Sequence, residues 1–335
     1  MQKCLDLALK GIGYVSPNPM VGSVIVYNGI VIGKGYHKNY ASNHAEVNAI
    51  NSVEDKSLLQ KSTLYVNLEP CSHFGKTPPC CNMIIEHKIP KVIVGCIDSY
   101  SEVSGKGILK MKNKGIEVVV GVLEKKSREL NRRFFTFHEK KRPYVILKWA
   151  ESKDGFIAPK NQTKPFWMTS KESRKLVHLW RSEEDSILIG RITAEKDNPS
   201  LTVREVRGKN PIRIVIDMDL KLSNDLNIFN SEADTLIFNH FKIEENNSNK
   251  YIITNYNKLN KNILTKLYKQ NIQSIIIEGG KKTLNSFIVE NLWDEARIFT
   301  TNIKLNDGLK APEIQGKVGI TTKIGGDKLN IIIND

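Results

Sequence analysis

One histidine, two cysteines and a carboxylate constrain this chain more than anything else in it, because residues far apart in sequence must meet around one ion. The run His44-Ala45-Glu46 is followed by Glu69-Pro70-Cys71 and then by Cys80. Zinc takes neutral imidazole and thiolate donors in a tetrahedral arrangement, and a catalytic zinc keeps three protein ligands so that the fourth position can hold water. His44, Cys71 and Cys80 supply three such donors. No fourth Cys or His stands at matching spacing, which speaks against a closed structural site. Water on such a zinc is acidic enough near neutral pH to attack an amino-bearing carbon of an amidine-like ring.

The local pattern fits that demand. Residues 43–52 read as the start of a helix, Thr63 to Leu68 (TLYVNL) as a strand ending at the site, and residues 79–87 as a second helix with Cys80 on its first turn. A helix N-terminus favours a thiolate. Cys81 competes for the ligand role, and spacing within the chain does not exclude it. In a regular helix, positions i and i+2 do not share a face, so spacing does not bring Glu46 to His44. The HAE…PC pattern resembles the zinc deaminase signature, and that resemblance implies Glu46 as the acid/base that moves protons between water and departing ammonia.

At 335 residues the chain exceeds what one core usually supports, so two domains are expected. Five cysteines, an odd number with three directed to metal, argue against a disulfide framework and for a reducing cytoplasm. No signal peptide or membrane span is expected, because the N-terminus lacks an apolar core and no apolar stretch is long enough. The net charge of +14 arises largely from lysines scattered among asparagines, as in KLNKNILTKLYKQN, without aromatic interleaving. A solvated basic surface suited to anionic small molecules is therefore preferred over a nucleic-acid surface.

The first half alternates helix and strand. Residues 4–11 read as helical, 21–27 and 30–36 as a hairpin across Asn28-Gly29, KVIVGC (91–96) and EVVVGV (117–122) as strands, and 107–114 as a helix. A charged helix over 125–141 ends at Arg142-Pro143. The boundary is placed there, giving domains 1–142 and 143–335, both α/β. In the second half, YVILKWA, DSILIG, IRIVID, TLIFN and QSIIIE read as strands. The last runs into Gly279-Gly280-Lys281-Lys282-Thr283 ahead of the helix LNSFIVENL, a plausible phosphate cradle. By itself, a glycine pair there is more often only a turn. No GxGxxG stands at a strand-to-helix junction, so a Rossmann domain is not indicated.

PNPMVGSVIV (17–26), the GKGYH run ending at His37, HAEVNA (44–49) and LEPCSHFGKTPPCC (68–81) together resemble the bifunctional deaminase/reductase family of riboflavin biosynthesis, and the resemblance extends over almost the whole chain. Nucleic-acid deaminases carry PCxxC, whereas here an insertion containing His73, Lys76 and Thr77 separates the cysteines. The resemblance implies a cytidine-deaminase-like three-layer domain followed by a dihydrofolate-reductase-like domain. It also implies a pyrimidine ribotide phosphate as substrate, with His73 and Lys76 contacting it, one Zn2+ per deaminase domain, NADPH as reductant and a homo-oligomer.

Reductase positions follow from the same resemblance. Ala150, Trp167, Thr193 and Asp197 are implied at the cofactor, together with Gly280, Lys281, Lys282, Thr283, Leu284, Asn285 and Ser286. Lys148, Arg181, Leu201, Arg204 and Glu278 are implied at the substrate. An Arg suits bidentate phosphate binding, and Lys281 or Lys282 could meet a 2′-phosphate. The reductase proton donor stays open between Lys148 and Asp197. The chain departs from the family at Thr163-Lys164-Pro165, where a Ser usually precedes the tryptophan segment, and at Glu151-Ser152-Lys153-Asp154-Gly155. Two other readings compete: a nucleic-acid deaminase with an accessory C-terminal domain, and a scaffold with a structural zinc.

Overall fold

A computed structural model describes every residue except 73–77, 101–102, 162–165, 247 and 335. The chain divides into two compact units, Met1–Lys141 and Arg142–Asp335. Arg142, placed in the first domain from sequence, belongs to the second unit, where its guanidinium pairs with Asp294.

In the first unit, α1 (Gln2–Ala8) precedes the hairpin β1 (Gly22–Tyr27) and β2 (Ile30–Tyr36). Asn28 and Gly29 at the turn both have positive φ, 47° and 78°. A type I′ connection requires that pair of conformations, and Asn-Gly supplies it at little steric cost. Then follow α2 (Ala45–Asn51), β3 (Thr63–Leu68), α3 (Cys80–Glu86), β4 (Lys91–Cys96), α4 (Lys106–Lys112), β5 (Glu117–Val120), α5 (Glu124–Leu130) and α6 (Arg132–Lys140). The sheet order is β2-β1-β3-β4-β5, with β3, β4 and β5 parallel. Side chains alternate across each strand. Ile25, Leu64, Val66, Val92 and Val94 meet Ile50 of α2, Ile84 of α3 and Met111 of α4 on one face. On the other face α1 lies so close to β1 that a Cβ at Gly22 would sit 2.1 Å from the Cys4 carbonyl oxygen. The unit is thus three layers deep.

The single charged helix expected over 125–141 is two helices. Asn131 breaks it with φ −99° and ψ 25°. Its buried side chain accepts from the Met20 N–H at 2.8 Å and donates to the Met20 carbonyl at 2.9 Å, a tertiary tie that outweighs local helix propensity.

The second unit comprises β6 (Tyr144–Glu151), β7 (Phe156–Pro159), α7 (Lys171–Glu183), β8 (Ser186–Gly190), α8 (Arg191–Asp197), β9 (Ile212–Ile216), β10 (Thr235–Asn239), β11 (Glu244–Asn246), β12 (Asn249–Ile253), α9 (Leu259–Lys269), β13 (Ser274–Gly279), α10 (Lys281–Val289), β14 (Glu295–Thr300), β15 (Gly308–Lys310), β16 (Lys317–Ile324) and β17 (Asp327–Ile333). Ten strands form one sheet in the order β11-β12-β10-β9-β8-β13-β6-β14-β17-β16, parallel from β12 to β14 and antiparallel at both edges. Val145, Leu147, Ile275 and Ile277 pack on α9 and α10. Ile146, Ile187, Ile189 and Ile276 face Val177 and Trp180 of α7 and Ala194 of α8. Parallel strands buried on both faces read as continuous apolar runs, which is why DSILIG and QSIIIE stood out. The helix expected to begin at Leu284 begins at Lys281, directly after Gly280.

Candidate active sites

In the first unit three elements deliver the metal donors. His44 is the N-cap of α2, Cys71 follows β3, and Cys80 is the first residue of α3. His44 Nδ1 lies 3.5 Å from Cys71 Sγ and 3.3 Å from Cys80 Sγ. All three ligand atoms fall within 4.8 Å of one another. One imidazole and two thiol donors at this separation fit zinc, with a fourth position left for water. Cys81 is excluded: its sulfur turns towards Asn82 and its side chain belongs to the apolar core. The Cys80 N–H donates to Cys71 Sγ at 3.3 Å. That hydrogen-bonded pairing with Cys80, reinforced by His44 and opposed by burial, holds the Cys71 thiol down to about 4.

His44 and Glu46 do converge. His44 is not helical; its φ of −68° and ψ of 164° are extended, so the i, i+2 rule for helices does not apply across the cap. Glu46 is buried and shares a hydrogen bond with Cys80. Burial raises its carboxyl to about 7, partly offset by His44, which suits a group that must take and return a proton near neutrality.

Residues that the sequence reading left without a role surround this centre. The buried His37 ring stacks edge-on to His44, centroids 5.4 Å apart, and its nitrogens meet the Asn43 carbonyl and Asn18 Nδ2, each at 3.1 Å. Glu69 accepts from four backbone N–H groups, those of Asp98, Gly105, Gly107 and Ile108, between 2.9 and 3.3 Å. Their only signals were the PNP, GYH and EPC runs. His73 and Lys76 lie outside the described residues.

In the second unit, Lys148 of β6, Arg181 of α7 and Glu278 of β13 form a buried ionic cluster. Arg181 Nη2 is 2.9 Å and Lys148 Nζ 3.9 Å from the Glu278 carboxylate. Burial would raise that carboxyl, but Arg181 and Lys148 override it and hold Glu278 at about 2. Burial lowers the Lys148 ammonium, Glu278 opposes that shift, and the nearby Arg181 charge adds to it. Arg181 also reaches the Thr202 carbonyl at 3.4 Å, and Arg204 Nη1 reaches Thr202 Oγ1 at 3.0 Å. Leu201 turns the chain there with φ of 55°.

Beside this cluster the glycine turn meets α8. A Cβ at Gly190 would lie 2.7 Å from Thr283 Oγ1, and one at Gly280 would lie 3.0 Å from Thr193 Oγ1. Gly280 opens α10 without a side-chain cap, leaving the first N–H groups and the helix dipole to an anion. This fits a nucleotide phosphate. Thr193, Gly280 and Thr283 are brought together, with Lys281 and Lys282 following Gly280 and Asn285 half-buried on the same helix. Leu284 instead points into the core with its N–H donated to the Gly280 carbonyl, and the Ser286 hydroxyl turns back to the Thr283 carbonyl. Ala150 is half-buried on β6, and Asp197 ends α8. Trp167 is exposed, with the Arg174 guanidinium 5.5 Å from its ring, and Pro165 lies outside the described residues. Ser170 caps α7 by accepting the Ser173 N–H, and Asp154 accepts the N–H groups of Leu305 and Asn306.

Residues 1–96 match the cytidine and deoxycytidylate deaminase zinc-binding region, and residues 143–320 match the RibD C-terminal domain. The riboflavin biosynthesis protein RibD of Aquifex aeolicus (strain VF5) is 41% identical over 322 residues, which is 94% of this chain and 89% of that protein. The chain belongs to the RibD family. RibD of Escherichia coli (strain K12) is 31% identical over 321 residues, 89% of this chain and 86% of its own length. The crystal structure of a diaminohydroxyphosphoribosylaminopyrimidine deaminase/5-amino-6-(5-phosphoribosylamino)uracil reductase from Thermotoga maritima superposes with a TM-score of 0.92 at 35% identity, covering 100% of this chain and 97% of that one. As in other members of the RibD family, a cytidine-deaminase-type zinc-binding domain precedes a reductase domain, and the chain is a bifunctional deaminase and reductase of riboflavin biosynthesis. A reductase in the second half disfavours the nucleic-acid deaminase reading. It also implies a nicotinamide cofactor. Among the described residues, no helix is long and apolar enough to cross a membrane.

Proposed function

We propose that the first domain hydrolyses the 2-amino group of 2,5-diamino-6-ribosylamino-4(3H)-pyrimidinone 5′-phosphate, and that the second reduces the ribosyl group of the product to ribityl with NADPH. The observation that carries this reading is Glu46 buried beside the His44, Cys71 and Cys80 donor set. His44, Cys71 and Cys80 would hold the zinc, which when bound would acidify a water for attack on the amino-bearing ring carbon. Glu46 takes the proton from that water and returns it to the amino group, which leaves as ammonia while oxygen replaces it on the ring. Burial keeps bulk water from competing for the carboxylate.

In the second domain Thr193, Gly280, Thr283 and the start of α10 would cradle the cofactor, whose hydride goes to C1′ of the opened sugar. Glu278 orients substrate between Lys148 and Arg181, and Arg204 meets the 5′-phosphate. Lys148 is the better placed of the two proton-donor candidates. It is buried against Glu278, and its ammonium is held below its ordinary range. Five free cysteines support a reducing, cytoplasmic setting, and a homo-oligomer is expected from the family resemblance.

The test is one assay on zinc-loaded protein, following ammonia release and NADPH oxidation separately, with Glu46→Gln beside wild type. The variant should retain zinc, lose ammonia release by about 10²-fold or more, and oxidise NADPH normally when given the deaminated intermediate. Normal ammonia release by Glu46→Gln would refute the assignment.

A further inference from the structure

Residues 201–204 lie in no strand, so their backbone groups need partners other than a ladder. Side chains supply them. The Val203 N–H donates to Asn210 Oδ1 at 2.8 Å, the Thr202 carbonyl accepts from Arg181 at 3.4 Å, and the Arg204 N–H donates to His178 Nδ1 at 3.1 Å. His178 and Arg181 are three residues apart on α7 and therefore share a face. One helix face thus fastens the segment at two points, on either side of Val203.

We propose that His178 is a positioning residue for the reductase: its Nδ1 lone pair fixes the backbone at Arg204 and so aims that guanidinium at the substrate phosphate. The proposal rests on the reading of Arg204 as the phosphate-binding residue. An imidazole that accepts at Nδ1 carries its proton on Nε2. The surroundings favour that neutral form: the ring is buried, and Arg181 and Arg204 outweigh the more favourable Glu205 and Glu278. A second proton would place a donor against the Arg204 N–H among two guanidinium groups. With the Arg204 backbone held, the side chain starts from a fixed Cα, and Thr202 Oγ1 holds one edge of its guanidinium at 3.0 Å. Preorganisation of this kind lowers the cost of binding a phosphate without touching the reacting carbon.

The experiment uses the full chain, supplied with the deaminated intermediate and, separately, with its dephosphorylated form. His178→Leu should raise KM for the phosphorylated form about tenfold, leave kcat within about twofold and shrink the preference for phosphate. His178→Asn, whose Oδ1 stands near the place of Nδ1, should restore most of that preference. Arg204→Ala should abolish it, and His178→Leu added to Arg204→Ala should cost nothing more. If Arg204→Ala keeps the phosphate preference, the reading of Arg204 fails and this inference with it. If Arg204→Ala loses the preference while His178→Leu keeps it, only the inference fails. A fall in kcat with unchanged KM, or equal loss in His178→Leu and His178→Asn, would also overturn it.

Discussion

Replacing Glu278 by Gln should destabilise the second unit more than any single surface change, and by an amount that depends on pH. The side chain is only 10% exposed, and its carboxyl is held from 4.5 down to about 2 against the opposing effect of burial. At ~1.4 kcal/mol per pH unit, that depression represents roughly 3 kcal/mol of folding free energy. The figure agrees with the cost of about 3–5 kcal/mol for breaking a buried ion pair from one side, since Glu278→Gln leaves Arg181 and Lys148 without their anion. For a unit of this size the loss corresponds to a fall of about 6–12 °C in melting temperature. A carboxyl depressed on folding stabilises fully above its unfolded value and loses that contribution as pH falls towards the folded value. The gap between wild type and variant should therefore be complete at pH 7 and narrow steadily below about pH 4.5. All four tryptophans, at 149, 167, 180 and 293, belong to the second unit, so their fluorescence follows this transition in the intact protein. Equal melting temperatures at pH 7, or a gap that stays constant down to pH 3, would refute the electrostatic account.

Cys80→Ser should lose zinc and ammonia release while NADPH oxidation of the deaminated intermediate persists, and Cys81→Ser should keep zinc at a cost of about 1–2 kcal/mol; metal content and the two activities check both. Gly107→Ala would bring a Cβ to 2.2 Å from the Pro70 carbonyl oxygen, and no side-chain rotation relieves that clash. A loss of about 2–4 kcal/mol is expected in thermal unfolding of the first unit, together with weakened zinc retention. Gly190→Ala crowds Thr283 Oγ1 and should raise KM for the nicotinamide cofactor several-fold with ammonia release unchanged, a split that steady-state kinetics reads directly.

The sequence made the metal centre legible because His44, Cys71 and Cys80 are chemically rare donors set in the distinctive HAE and EPC runs. It left Cys81 open because two adjacent thiols differ only in which way α3 turns them. The Glu46 contact could be anticipated only by resemblance, since an N-cap conformation is not visible in residue spacing. The hairpin at Asn28-Gly29 and the buried strands in DSILIG and QSIIIE declared themselves by turn chemistry and apolar runs. The break at Asn131 did not, since its cause is Met20, far along the chain. Nor did β16, KVGITTKI, which is almost wholly exposed at the sheet edge and so carries no buried alternation to find. The Lys148, Arg181 and Glu278 cluster draws one residue from each of three elements, and no local pattern links them. Within the implied cofactor run from Gly280 to Ser286, side-chain direction was not legible from the residues. A helix turns successive side chains through its whole circumference, so Leu284 falls on the core face.

His44, Cys71 and Cys80 arrive from a helix cap, a loop and a helix start, and they come together only once β3 and the helices flanking it have packed. An unfolded chain therefore offers zinc no comparable site, and the free energy of metal capture is added to that of folding. For a cell, zinc supply then governs how much of this protein survives quality control as well as how much is active. Metal scarcity would thin the pool of folded first domains and expose the chain to proteases.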